Sequence, residues 1–237
     1  LGAFALYHLM TDWHLPWLVA LPLGVLMVAA ASMVLERLVF RWFYRKMFQS
    51  MIGLLGLNMM LMFGAVLIWD VYERNIPAAF TGVLFLGDVI LPVDRLVVIL
   101  IALGALAGFY LFIRHTMRAA AQDVEIAETQ GVDTKRTYQV AFFVAILLAA
   151  LAGALWGQIY AVSPLMGERP LIMAFIVVIL GGMGSIPGAA LGGVLLGFTE
   201  SFLGTFYGAA ASAFVSFGVV ILLLIFRPWG ILGTPED

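Results

Sequence analysis

Cysteine is absent, which excludes disulfides, thiolate metal sites and cysteine nucleophiles. Charge is scarce: 11% of the 237 residues are Asp, Glu, Lys or Arg. An average soluble domain carries about 25%. Too little charge is present to cover a soluble surface of this size. The composition argues against a soluble globular protein and a disordered one. The formal net charge of −2 gives no special affinity for nucleic acid.

Lysine is nearly missing. Lys46 follows Arg45 and Lys135 follows Thr134, so the Gly-Lys-Ser/Thr core of a phosphate-binding loop is not encoded. His8, His14 and His115 lie far apart and lack metal-ligand spacing. A nucleophile elbow at Ser185 would need glycine at 183, where Met183 stands. An intramembrane hydrolase is therefore poorly supported.

Apolar sequence fills the space. Hydrophobic residues make up 64% and the mean hydropathy is +1.09. A spanning helix needs about 20 mainly apolar residues. Such runs cover residues 15–35, 50–69, 96–113, 138–162 and 209–226. The run 171–206 is longer than one span and is broken by Gly181-Gly182-Met183-Gly184-Ser185-Ile186-Pro187-Gly188. The fold class predicted is an all-α polytopic membrane protein with about six to seven visible spans, one of them a Gly/Pro-broken helix. Residues 1–9 read as the tail of a helix whose start is missing, which implies an N-terminally truncated chain with further spans upstream.

Nine of the twelve Lys and Arg residues fall in 37–46, in 114–136 and at Arg227. Alternate loops thus separate into basic and non-basic sets. The positive-inside pattern places 37–49, 114–137 and 227–237 in the cytoplasm, and 70–95 and 163–170 outside. Trp13 and Trp17 flank one end of the first full span, Trp42, Phe43 and Tyr44 the other, and Trp69 and Tyr72 mark the outer end of the next. These rings are expected at the headgroup level, with helix packing as the plainer alternative. In the outer segment, residues 80–88 could form a short hairpin, bracketed by Pro77 and Pro92.

Three features invite a functional reading. The polar connector 114–137 contains helix formers over 118–130, with Gly131 placed as a C-cap and Asp133 as an N-cap. Ala120, Val124, Ala127 and Gly131 form a narrow small-residue face flanked by Asp123, Glu125 and Glu128. Such a helix can seat in a groove on a partner protein, or be an ordinary solvated loop helix. Gly184, Gly188 and Gly192 recur every fourth residue, as do Ala149, Gly153 and Gly157. This spacing serves close helix packing, and the break also suits a discontinuous helix beside a translocation path. Glu200 lies inside an apolar run. It can line a pathway, pair with a polar group on another helix, or sit hydrated near the outer interface. Asn58 and Gln158 are expected to make interhelical hydrogen bonds.

The stretch Met166-Gly167, then residues 174–189 through Gly197 and Glu200, resembles the LivH-type permeases of branched-chain amino acid ABC importers. Met117-Arg118-Ala119, Ala127 and residues 131–136 resemble that family's main cytoplasmic loop, and residues 227–233 its C-terminal ending. The resemblance implies a single transmembrane permease domain over 1–237 in the bacterial inner membrane. It implies a second permease subunit, two cytoplasmic ATPase subunits and a periplasmic substrate-binding protein as partners, with membrane lipid around them. ATP would be held by the partners, leaving this chain without a cofactor, a metal or a catalytic residue of its own. The loop 114–137 would be the coupling element, through Arg118, Asp123, Glu125, Ala127, Glu128, Gly131, Lys135 and Arg136. Gly181, Gly182, Gly184, Ser185, Pro187, Gly188 and Glu200 would belong to the broken helix and the translocation path. The solute would be leucine, isoleucine and valine or a related small polar compound. The reading kept beside it is an ion-coupled secondary transporter or solute channel, which would also use broken helices and an intramembrane carboxylate.

Overall fold

The computed structural model describes residues 1–38, 47–77, 79–80, 82–86, 89–116, 134–182, 184–227 and 229–233. Long uncharged runs must satisfy their backbone internally in lipid, and helices do so within one segment. The described elements are accordingly almost all helical: α1 Gly2–Thr11, α2 Trp17–Leu38, α3 Met47–Trp69, α4 Val93–Thr116, α5 Thr134–Ile159, α6 Glu168–Gly181 and α7 Ile186–Phe226. Among the described residues, four helices are long and apolar enough to cross a membrane: Trp17–Leu35, Val93–Ile113, Gln139–Ile159 and Ile186–Gly208. The apolar part of α3 counted among them is shorter, Gly56–Trp69.

One departure from helix is a two-stranded hairpin, β1 Val83–Leu86 and β2 Val89–Pro92, with Val83 opposite Pro92 and Leu86 opposite Val89. It lies later than the expected 80–88, and Pro92 ends a strand instead of bracketing the hairpin. A proline is tolerated there because a two-stranded ribbon leaves strand edges that need no ladder donor. Val93 N–H closes the hairpin on the Gly82 carbonyl at 3.1 Å.

The chain divides into two compact units, Leu1–Met166 and Gly167–Asp237. In the first, α1 packs against both α2 and α5. Small residues permit the approach. A Cβ on Gly2 would overlap the backbone of Ala150, and one on Gly157 would meet the Ala3 methyl. The expected stripe Ala149/Gly153/Gly157 is thus shifted at one end: Ala149 is exposed, and the buried Ala150 makes the contact. Leu6, Leu9, Trp17, Ala20, Val25, Ala150 and Ala154 form the buried core of this unit.

One end of the unit gathers five termini. Trp69 at the end of α3 stacks on Phe4 of α1, with ring centroids 4.6 Å apart, and donates its indole N–H to His8 Nε2. His8 Nδ1 faces Asp12 at 2.5 Å, and Arg74 lies over the Tyr7 ring at 5.5 Å. Arg74 and Val162 exchange backbone hydrogen bonds. Phe80 packs edge-on to Trp17 and donates its backbone N–H to Asp94 at the start of α4. Trp17 follows the packing alternative. It is 6% exposed and donates to Gln158 Oε1 at 3.2 Å. Trp13 is 66% exposed and Tyr72 is also exposed.

The second unit is a helical hairpin with a folded-back tail. Ile231 and Leu232 donate backbone N–H groups to the carbonyls of Leu180 and Gly181, at 2.9 and 3.1 Å. A straight 41-residue helix α7 would carry its end about 60 Å away. The chain instead folds back within α7, at Gly208, whose φ of 84° and ψ of 164° leave the helical region.

Candidate functional site

The glycine-broken segment is built from the bottom up by caps and close contacts. Helix α6 ends at Gly181, and Gly182 takes φ 99°, a conformation open to glycine. Ser185 then starts α7: its Oγ accepts the Gly188 N–H at 3.1 Å, the N-cap bond to the third helical residue. Pro187 falls in the first turn, where its missing N–H leaves no intrahelical bond unmade. Gly188 packs on Gly181 so closely that a Cβ on either would overlap the other's backbone. Gly192 continues the contact on Val177 and Leu180, whereas Gly184 has open space around it. Leu180, Ile176 and Leu196 are the buried apolar residues of this hairpin.

The C-terminal stretch closes the break. Its N–H groups take up the Leu180 and Gly181 carbonyls that the end of α6 leaves without helical partners. Gly230, at φ 79°, sits against the Gly182 backbone. Nothing local marks residues 227–233 as a lid on the break, since Ile231 and Leu232 lie 51 positions from Leu180 and Gly181.

Glu200 lies on α7 and pairs with Arg169 in the first turn of α6. The side chains are 23% and 58% exposed, respectively. Nothing local in the sequence links positions 169 and 200. Ser185, Gly181, Gly182, Pro187 and Gly188 come together at one end of the hairpin, and Glu200 stands at the other. Gln158 makes an interhelical bond as expected, whereas Asn58 is exposed. Gln158 Nε2 is buried without a hydrogen-bond partner among the described residues. Of the proposed coupling residues, Arg118, Asp123, Glu125, Ala127, Glu128 and Gly131 lie outside the described residues. Lys135 and Arg136 are in the first turn of α5. Among the described residues no His/Asp/Glu cluster could hold a metal ion.

Long apolar helices, a glycine-broken hairpin closed by its own tail and an apolar exterior define a multi-pass helical membrane protein. The family model described as "Branched-chain amino acid transport system / permease component" matches residues 1–225, and the chain belongs to that family. It is 34% identical over 197 residues to the high-affinity branched-chain amino acid transport system permease protein BraD of Pseudomonas aeruginosa, covering 78% of this chain and 64% of that protein. It is 30% identical over 227 residues to LivH of Salmonella typhimurium, a permease protein of the same description, covering 90% of this chain and 74% of that one. The chain thus spans about two thirds to three quarters of these relatives. No solved structure matches it.

Proposed function

We propose that this chain is the permease subunit of an ABC importer in the bacterial inner membrane, moving leucine, isoleucine and valine or a related small polar solute. The observation that carries the reading is the family match over 1–225, together with relatives named as branched-chain amino acid permeases. Six spans are counted as α2, α3, α4, α5 and the two limbs of α7, and the shorter α6 makes a seventh. A second permease subunit completes the pathway, a periplasmic binding protein delivers solute, and two cytoplasmic ATPases supply the energy.

The connector between α4 and α5 is the coupling element. It joins two long apolar helices, so a displacement imposed on it tilts both. Residues Arg118, Asp123, Glu125, Ala127, Glu128, Gly131, Lys135 and Arg136 present it to the ATPase. The permease biases an equilibrium between two access states, and a motor can shift that equilibrium only by gripping one state better than the other. The α6–α7 hairpin lines the path.

The test is uptake of radiolabelled leucine in a strain that depends on the full-length protein and its neighbours. Ala127→Trp with Gly131→Trp is expected to cut uptake by about tenfold, about 1.4 kcal/mol of lost coupling, and to release the ATPase from the purified complex. Normal uptake and normal co-purification in this variant would reject the coupling role. Uptake that survives ATP depletion but collapses with an uncoupler would reject the ABC reading.

A further inference from the structure

We infer that His8, Asp12 and Trp69 form a proton-sensitive latch, which fastens the last turn of α3 to α1 and loosens on acidification. The inference goes beyond the proposed function and stands whatever solute is carried.

Hydrogen-bond direction fixes the protonation state that the closed latch needs. An indole N–H can only donate, so His8 Nε2 presents a lone pair to Trp69. The single proton of the neutral imidazole is then on Nδ1, which faces the Asp12 carboxylate at 2.5 Å, one helical turn on. Every donor in the chain Trp69–His8–Asp12 meets an acceptor. A second proton on the ring has only Nε2 to occupy. Two N–H donors then face each other, and the bond to Trp69 is lost. Asp12 keeps its bond and faces an opposite charge, so the imidazolium stays with α1 and Trp69 is the partner that leaves. Imidazole suits such a switch, since it is the side chain whose charge changes between about pH 5 and pH 8.

The surrounding groups supply no substitute acceptor. On α1, Tyr7 stands edge-on to the imidazole, with ring centroids 5.5 Å apart, and its own ring lies under Arg74. Beyond α3, Arg74 donates to the Trp69 carbonyl at 3.0 Å, and the Asp70 carboxylate accepts the Val71 N–H at 2.8 Å. Helices α2 and α5 bring Gly24 and Ala150, Gly153 and Gly157 against α1, none of which titrates.

The attachment is also local. Further back along α3, Gly56 and Gly64 have nothing within 4 Å. Trp69 stacks on Phe4 and packs against the buried cluster of Ala3, Phe4 and Val162. Stacking remains when the hydrogen bond goes, so the helix end loosens without coming free.

The absence of cysteine supplies the experiment. Nitroxide labels go on Trp13→Cys, just past α1, and Leu67→Cys, in the last turn of α3, in the full-length protein in lipid nanodiscs. Double electron–electron resonance should show one dominant distance at about pH 8 and a larger share of a second, longer one at about pH 5. That share should rise about two- to tenfold, the usual effect of losing one hydrogen bond. His8→Gln keeps an oxygen able to accept the indole N–H but takes up no proton, so its share should not change with pH. Trp69→Phe keeps a ring to stack on Phe4 and lacks the donor. Its longer distance should already be raised at about pH 8 and should ignore acid. Identical distributions at the two pH values in the protein with His8 and Trp69 intact would overturn the latch. So would an acid response that survives in either variant, or a Trp69→Phe distribution that matches the closed one. The Trp69→Phe arm decides the question even if His8→Gln folds badly.

Discussion

At the scale of single residues, glycines of identical sequence character have opposite consequences. A methyl on Gly188 would meet the Gly181 carbonyl, with no flexible side chain to yield, whereas Gly204 has nothing within 4 Å. Gly188→Ala should therefore destabilise the protein by about 1–3 kcal/mol, the usual result of overpacking. Gly204→Ala should be neutral or stabilise by up to about 1 kcal/mol through helix propensity. Thermal unfolding of the two variants in the same detergent checks the contrast, and equal shifts would refute the packing assignment. Trp17 shows the same dependence on surroundings. Its ring fits an interfacial belt by position, but the indole N–H finds Gln158 on α5, and a buried donor with a partner is favoured over a solvated one next to lipid.

At the scale of elements, the break between α6 and α7 is stable because three separate pieces satisfy it. Gly182 turns the chain, Ser185 caps α7, and the tail pairs with the last carbonyls of α6. Gly230→Ala strains a positive φ and places a Cβ against the Gly182 backbone. It should cost about 1–3 kcal/mol. Expected readouts are a lower yield of folded protein and faster proteolysis within residues 227–233. An unchanged digestion pattern would show that the tail does not hold the break. The break itself was legible, since a glycine-rich interruption of an apolar run has no other economical reading. Its closure was not: the boundary between the runs 171–206 and 209–226 falls at the fold-back at Gly208, but nothing local pairs Ile231 with Leu180 across the chain between them.

At the scale of the whole molecule, the surface is dominated by apolar side chains, with Leu67 at 87% and Phe214 at 80% exposure. A soluble monomer does not display apolar surface on that scale. The positive-inside pattern predicts which loops face the cytoplasm. Single cysteines placed in 37–49, 114–137 and 227–237 should react with an impermeant reagent only after the membrane is opened, and those in 70–95 and 163–170 should react from outside. A reversed labelling pattern would invert the assignment.

The membrane class was available from composition and order alone, because lipid acts on every stretch of about 20 residues locally and independently. The helices begin and end near the places where charge and proline interrupt those runs. Contacts between distant stretches were not available. The Arg169–Glu200 pair, the Trp17–Gln158 bond and the tail across Gly182 each join residues that no short-range pattern relates. Hydropathy acts on the chain one segment at a time, whereas pairing depends on which small residues let two helices touch, and that was decided only when the helices packed.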